Sequence, residues 1–91
     1  MQNPINVEIT KRFYEAIKML MESRVIRGRQ TYCTLANIDK RNFYKQEKDL
    51  DANLLQLYWL VPLVKEFNIN ALWLLTGKGN MFNKDITPLK K

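Results

Sequence analysis

The sequence predicts an all-α fold of five helices, and three observations lead there. Apolar residues recur at the three- and four-residue spacing of a helix face, as in Ile9, Phe13, Ala16, Ile17 and Leu20. Residues that cap helix starts stand just before such runs, at Asn6, Asp39 and Asn70. Residues that accept a left-handed backbone stand just after two of them, at Asn37 and Gly77. The 91 residues make one domain, long enough to bury a modest core without a metal or a disulfide. Residues 1–82 are read as that domain, and 83–91, with Pro88 and two terminal lysines, as a fraying tail.

The first helix is expected from Asn6 to about Arg24, after a lead-in that contains Pro4. Asn6 caps it, and Glu8 lies in the first turn, where a carboxylate suits the helix dipole. Glu8–Arg12 and Glu15–Lys18 have the spacing of weakly supportive surface pairs. Gly28 stops this helix or restarts the chain. A second helix is expected from about Arg29 to Ala36, with Tyr32 and Cys33 on its inner face and Thr31 as the cap of an alternative, later start. The third runs from Lys40 to Lys48, capped by Asp39, with Phe43 pointing inward. After a polar loop over 49–53, either Asp51 or Asn53 caps a fourth helix whose inward set is Leu54, Leu57, Leu60, Val61, Val64 and Phe67. Pro62 falls inside that pattern and predicts a kink, or two segments meeting there. The last helix spans Ala71 to Thr76, between Asn70 and Gly77, and Lys78 and Gly79 predict a flexible exit before Met81 and Phe82.

The stretch from Gly28 to Lys48, GRQTYCTLANIDKRNFYKQEK, organises the rest. Two short helices meet at Asn37, and Ile38 plugs the corner between them. The outward residues of the later helix are Lys40, Arg41, Asn42, Tyr44, Lys45 and Lys48. Cations, an amide and a phenol on a rod thrown out from a sharp corner have the chemistry of a groove reader. Free amides at the start of the second helix, beside Arg29 and Gln30, suit a phosphate. Charge is distributed accordingly. The net charge is +6, yet Arg24 to Lys48 alone holds seven cations against two anions, and the remainder of the chain is left at +1. Such concentration is the footprint of a polyanion partner, with a merely solvated basic face as the alternative.

Other chemistries find little support. Histidine is absent and Cys33 is the single cysteine, so no disulfide forms within the chain and histidine-based metal or acid–base chemistry is excluded. With nothing to activate it, Cys33 reads as a small buried hydrophobe. The carboxylates are too scattered for a metal site. TGKGN, at 76–80, follows a helix instead of a strand and lacks the lysine–hydroxyl ending of a nucleotide loop, so no cofactor is expected. Tyr58, Trp59 and Trp73 read as core or interface aromatics ahead of a ligand cage. The longest apolar run, Leu57 to Val64, falls short of the roughly 20 residues that span a bilayer, and no secretory leader pattern opens the chain. A soluble, cytoplasmic protein without a membrane partner and without enzymatic activity is the expectation.

These residues resemble the helix-turn-helix of the lambda repressor/Cro-like DNA-binding domains of phage and bacterial regulators. That family has a small residue early in its second helix, a glycine at the turn, an apolar residue just after it and another in the middle of the third helix. Here those positions hold Cys33, Asn37, Ile38 and Phe43. Glu47 falls where many members keep an acidic residue. WLLTGKGNMF, Trp73 to Phe82, is similar to the last helix and exit loop of a repressor-like subgroup. The resemblance covers Ile9 to Phe82. Cys33 departs from the usual alanine, Asn37 from the usual glycine, and Arg29 from a frequent glutamine. Gln46 stands where an apolar residue is commoner, which implies a less tightly held end to the third helix.

The resemblance implies sequence-specific double-stranded DNA binding by a repressor-like transcriptional regulator of phage or mobile-element type. Base edges would be met by Lys40, Arg41, Asn42, Tyr44 and Lys45. Arg41 suits a forked pair of bonds to guanine and Asn42 the equivalent for adenine, each pair discriminating by about 1–3 kcal/mol. Tyr44 either packs on a thymine methyl or a ribose–phosphate edge, or folds onto the protein surface. Arg29, Gln30 and Lys48 would meet phosphates, with Arg24 and Arg27 as weaker candidates. A symmetric dimer would place two third helices in successive major grooves about 34 Å apart, on a palindromic operator. Its contact surface is expected at Trp73, Met81 and Phe82. The chain has no room for a second, self-cleaving domain, so induction by self-cleavage is not expected. The alternative function is an antitoxin-like or adaptor module that binds protein through the same scaffold.

Overall fold

A computed structural model describes residues 3–83. They form five helices: α1 (Pro4–Glu22), α2 (Arg29–Ala36), α3 (Lys40–Lys48), α4 (Leu57–Lys65) and α5 (Ala71–Thr76). The described residues contain no strand, only one isolated antiparallel bridge between Ile69 and Phe82. The expected all-helical class and the number of helices match the structure.

α1 starts earlier than expected. Asn3, not Asn6, is its cap, accepting a 2.8 Å bond from the Ile5 amide. Pro4 is the first helical residue rather than part of a lead-in, because its missing N–H falls where no helical partner exists and its ring already fixes a helical φ. The Glu8–Arg12 pair is present at 4.0 Å, at the limit of an ion pair. Arg12 is instead tied to the far end of the chain, where its guanidinium donates to the carbonyls of Leu74 and Leu75 at 2.9 and 3.3 Å. Those carbonyls close α5 and have no partner within their own helix, so α1 supplies a cap to α5 from outside.

The core is built around Phe13, which is fully buried. Its ring centroid lies 4.9 Å from Tyr14, 5.8 Å from Tyr32, 5.9 Å from Phe43 and 6.1 Å from Trp59, the first three edge-on. One side chain from α1 thus touches aromatics of α1, α2, α3 and α4, with the favourable edge-to-face geometry. Two of these rings also carry a polar end into the interior. Tyr14 donates 2.7 Å to the carbonyl of Phe43, and Tyr32 donates 2.6 Å to the carbonyl of Trp59. α1 is thereby bonded to α3, and α2 to α4.

α4 is where expectation and structure part. Trp59, Leu60 and Leu63 are its buried residues, whereas Leu57, Val61 and Val64 face outward. Its cap is the backbone of Gln56, with no side-chain bond, so neither Asp51 nor Asn53 serves. Nor does the helix divide: it runs through Pro62 as one span, although that residue has no N–H to give to the Tyr58 carbonyl. α5 follows the expected plan, with the Asn70 side chain accepting from the Leu72 amide and Gly77 at φ 83° closing it. The exit after α5 is fixed rather than flexible. Asn70 donates to the Met81 carbonyl at 2.7 Å, and Asn83 donates from its backbone and side chain to Asn68. Asn83 is therefore pinned; the rest of the expected tail, 84–91, lies outside the described residues.

Candidate functional site

The corner between α2 and α3 is made by three consecutive residues with different tasks. Asn37 adopts the left-handed conformation, φ 58° and ψ 46°, which reverses the chain at the end of α2. Ile38 is buried beneath the corner, and its amide donates 2.9 Å to the Cys33 carbonyl. Asp39 caps α3, its carboxylate accepting from the amides of Arg41 and Asn42 at 2.8 and 3.3 Å. A reversal, an apolar plug and a cap in sequence leave α3 no choice of starting point or direction.

At 100° per residue, Phe43 and Gln46 point to one side of α3 and Arg41, Lys45 and Lys48 to the other. Burial agrees: Phe43 and Gln46 have no exposed surface, while Lys40, Arg41, Asn42, Tyr44, Lys45 and Lys48 are exposed. None of the six makes a side-chain hydrogen bond or an ion pair with another described residue. Lys45 and Lys48 sit in the last turn, where the carbonyl end of the helix favours cations. An open groove between α2 and α3 is lined by Gln30, Lys40, Arg41 and Tyr44 together with the corner residues 37–39. The structure thus brings one expected phosphate residue and three expected base residues to one concave surface. Asn42, Lys45 and Lys48 lie outside that groove, on the exposed face of α3.

Arg29 is placed otherwise than its expected role requires. Its Nε and Nη2 donate to the two carboxylate oxygens of Glu47 at 2.7 and 2.8 Å, a forked pair linking the first turn of α2 to the last turn of α3. That bond to Glu47 raises the Arg29 pKa further. Arg29 is therefore not an unpaired cation awaiting a phosphate. Arg24 and Arg27 remain exposed on the segment that joins α1 to α2, with Arg24 in the left-handed region at φ 61°.

Gln46 overturns another expectation. Its fully buried amide donates 2.9 Å to the Asp49 carbonyl and accepts from the amides of Leu54 and Leu55 at 2.5 and 2.9 Å. The end of α3 is held by one bond to its own C-cap, Asp49, and two to the segment entering α4, none of which an apolar residue at this position could make. The signal was available: Gln46 falls three residues after Phe43 and so shares its inward side. Cys33 lies buried beside the corner, and burial pushes its thiol pKa up, so the thiol stays protonated. Among the described residues no group of His, Cys, Asp or Glu is placed to hold a metal ion.

Trp73, Met81 and Phe82, the expected dimer surface, are half-buried and pack against the core. The exposed apolar surface lies next to them. Leu57, Val61, Val64, Ala71 and Leu75 line a shallow groove between α4 and α5 with almost no polar atoms. Leu57 is 80 % exposed, so this surface is not closed by the described residues. No helix of the described residues is long and apolar enough to cross a membrane. Compared with protein-family models, curated proteins and solved structures, the chain has no significant match.

Proposed function

We propose that the chain is a sequence-specific double-stranded DNA-binding protein, a repressor-like transcriptional regulator of phage or mobile-element type. In this reading α2 and α3 form a helix-turn-helix of the lambda repressor/Cro-like kind, and α3 is the recognition helix. One observation carries it. Arg41, Lys45 and Lys48 share the outward side of a helix that is anchored on its inner side by Phe43 and Gln46, and they are left without partners among the described residues. Keeping three like charges on one short helix face is unfavourable in isolation and favourable against a polyanion. Rigid support on one side and unpaired cations on the other is what a reader of the major groove requires.

Arg41 and Asn42 are assigned to base edges, Lys40, Tyr44 and Lys45 to the groove walls and bases beside them, and Gln30 and Lys48 to phosphates. The protein would act as a homodimer, with the α4–α5 groove at Leu57, Val61, Val64 and Leu75 as the contact surface in place of Trp73, Met81 and Phe82. That same exposed groove favours a second reading, an antitoxin-like or adaptor module whose partner is another protein. Selection of bound duplexes from a random DNA pool separates the two. An enriched two-fold motif with half-sites about one helical turn apart supports the regulator. A pool that stays random overturns it and leaves the protein-binding reading.

A further inference from the structure

Arg29 and Glu47 occupy the wrong ends of their helices. A cation in the first turn of α2 meets the positive end of that helix, and a carboxylate in the last turn of α3 meets the negative end. Neither suits its own helix, yet together they make the forked pair at 2.7 and 2.8 Å. The pair spans the end of the α2–α3 wedge opposite the Asn37 corner. Met21 Sδ lies 3.8 Å from the remaining Nη1. Arg29 does not itself line the groove, but it stands next in sequence to Gln30, which lines it with Arg41 and Tyr44.

We infer that Glu47 is a positioning residue that withholds Arg29 from the phosphate backbone, so that non-specific attraction is weakened while the α3 face is left unchanged. The inference rests on the DNA-binding reading. Non-specific affinity comes almost wholly from cations on phosphates, whereas discrimination comes from base edges. Masking one cation at the rim therefore lowers affinity for all sequences and leaves preference intact. The forked carboxylate also fixes the guanidinium plane, which a single monodentate partner does not.

The test is the salt dependence of binding to two duplexes of equal length, one selected for binding and one of random sequence. It is measured for the wild-type chain, Glu47→Gln, Arg29→Gln and the double variant. Both side chains keep about a third of their surface in water (34 % and 28 %), so the variants are expected to fold, and circular dichroism checks this. Glu47→Gln is expected to bind the random duplex more tightly and to steepen the slope of log K against log salt by about 0.9. The double variant returns to the wild-type slope, and Arg29→Gln alone keeps it. An unchanged slope in Glu47→Gln overturns the inference. So does a slope about 0.9 shallower in Arg29→Gln, which would mean that Arg29 already meets a phosphate; this arm decides alone if Glu47→Gln does not fold. A wild-type chain that binds neither duplex sinks the inference together with the DNA-binding reading, whereas wild-type binding with flat variants sinks the inference alone.

Discussion

The phenol of Tyr14 donates a 2.7 Å hydrogen bond to the backbone carbonyl of Phe43, deep between α1 and α3. Among the described residues it is the one side-chain hydrogen bond between the longest helix and the helix that carries the candidate surface, and the two rings lie edge-on at 5.1 Å. Replacing Tyr14 with Phe keeps the ring and removes the tie. The expected cost is about 0.5–1.5 kcal/mol in urea unfolding. Faster amide exchange in α3 than in α5 should accompany it, since only α3 loses an anchor. Equal changes in both helices would show that the bond carries no special share.

Gln46 makes the opposite case, a polar side chain whose removal leaves others unpaired. Gln46→Leu keeps the bulk of the side chain but strands the part-buried amides of Leu54 and Leu55. A loss of about 1–3 kcal/mol is expected, more than for Tyr14→Phe, because an unmet buried donor costs more than a lost bond whose partner has another. Stability equal to wild type would mean that water reaches the two amides.

Asn37 reports on the corner. At φ 58° an L side chain is disfavoured, and Asn tolerates the strain better than most. Asn37→Ala is expected to lower stability by about 1–2 kcal/mol, and Asn37→Gly to leave it near wild type. A tolerated alanine would indicate that the turn relaxes to another conformation.

Self-association is expected to respond to the α4–α5 groove. Val61 and Leu75 are about half exposed, so Val61→Asp and Leu75→Asp should fold and sediment as monomers. Trp73 packs on the core, and charging it would confuse dissociation with unfolding. A wild-type chain that is already monomeric at high concentration removes the dimer.

Alkaline conditions test the buried acids. Burial raises the pKa values of Tyr14, Tyr32 and Cys33, so the folded chain holds protons that the unfolded chain gives up. A raised folded pKa gives stability that is complete below the unfolded value and is lost as pH climbs towards the folded one. The urea midpoint should hold up to about pH 9, the ordinary thiol value, and fall beyond 10, the ordinary phenol value. A midpoint constant to pH 11 would mean that these groups ionise within the fold.

The corner was legible because its chemistry is local. Asn37, Ile38, Asp39 and Phe43 each announce a backbone state or a facing within four residues, and α2, α3 and α5 begin and end where such signals put them. α4 was not legible in its facing. LYWLVPLV offers apolar residues on every side, so periodicity cannot say that Trp59 and Leu63 go in while Leu57 and Val61 stay out. The start of α1 is signalled by Asn3 followed by Pro4, a pair that outweighs the capping signal of Asn6 because Pro fits the first helical position. The Arg29–Glu47 pair joins residues 18 apart and the Ile69–Phe82 bridge joins residues 13 apart, so neither shows in local pattern. At the candidate surface, spacing alone marks the outward residues of α3, whereas the engagement of Arg29 depends on a contact between two helices.

The aromatic assembly around Phe13 has an optical consequence. Trp59 lies 6.1 and 6.0 Å from the rings of Phe13 and Phe43, shielded from solvent, whereas Trp73 sits nearer the surface. In a Trp73→Phe background the remaining indole emits from the point where four helices meet. Its emission colour would then register opening between α1 and α3 directly, giving the molecule a built-in luminescent gauge of the platform on which its cationic rod is mounted.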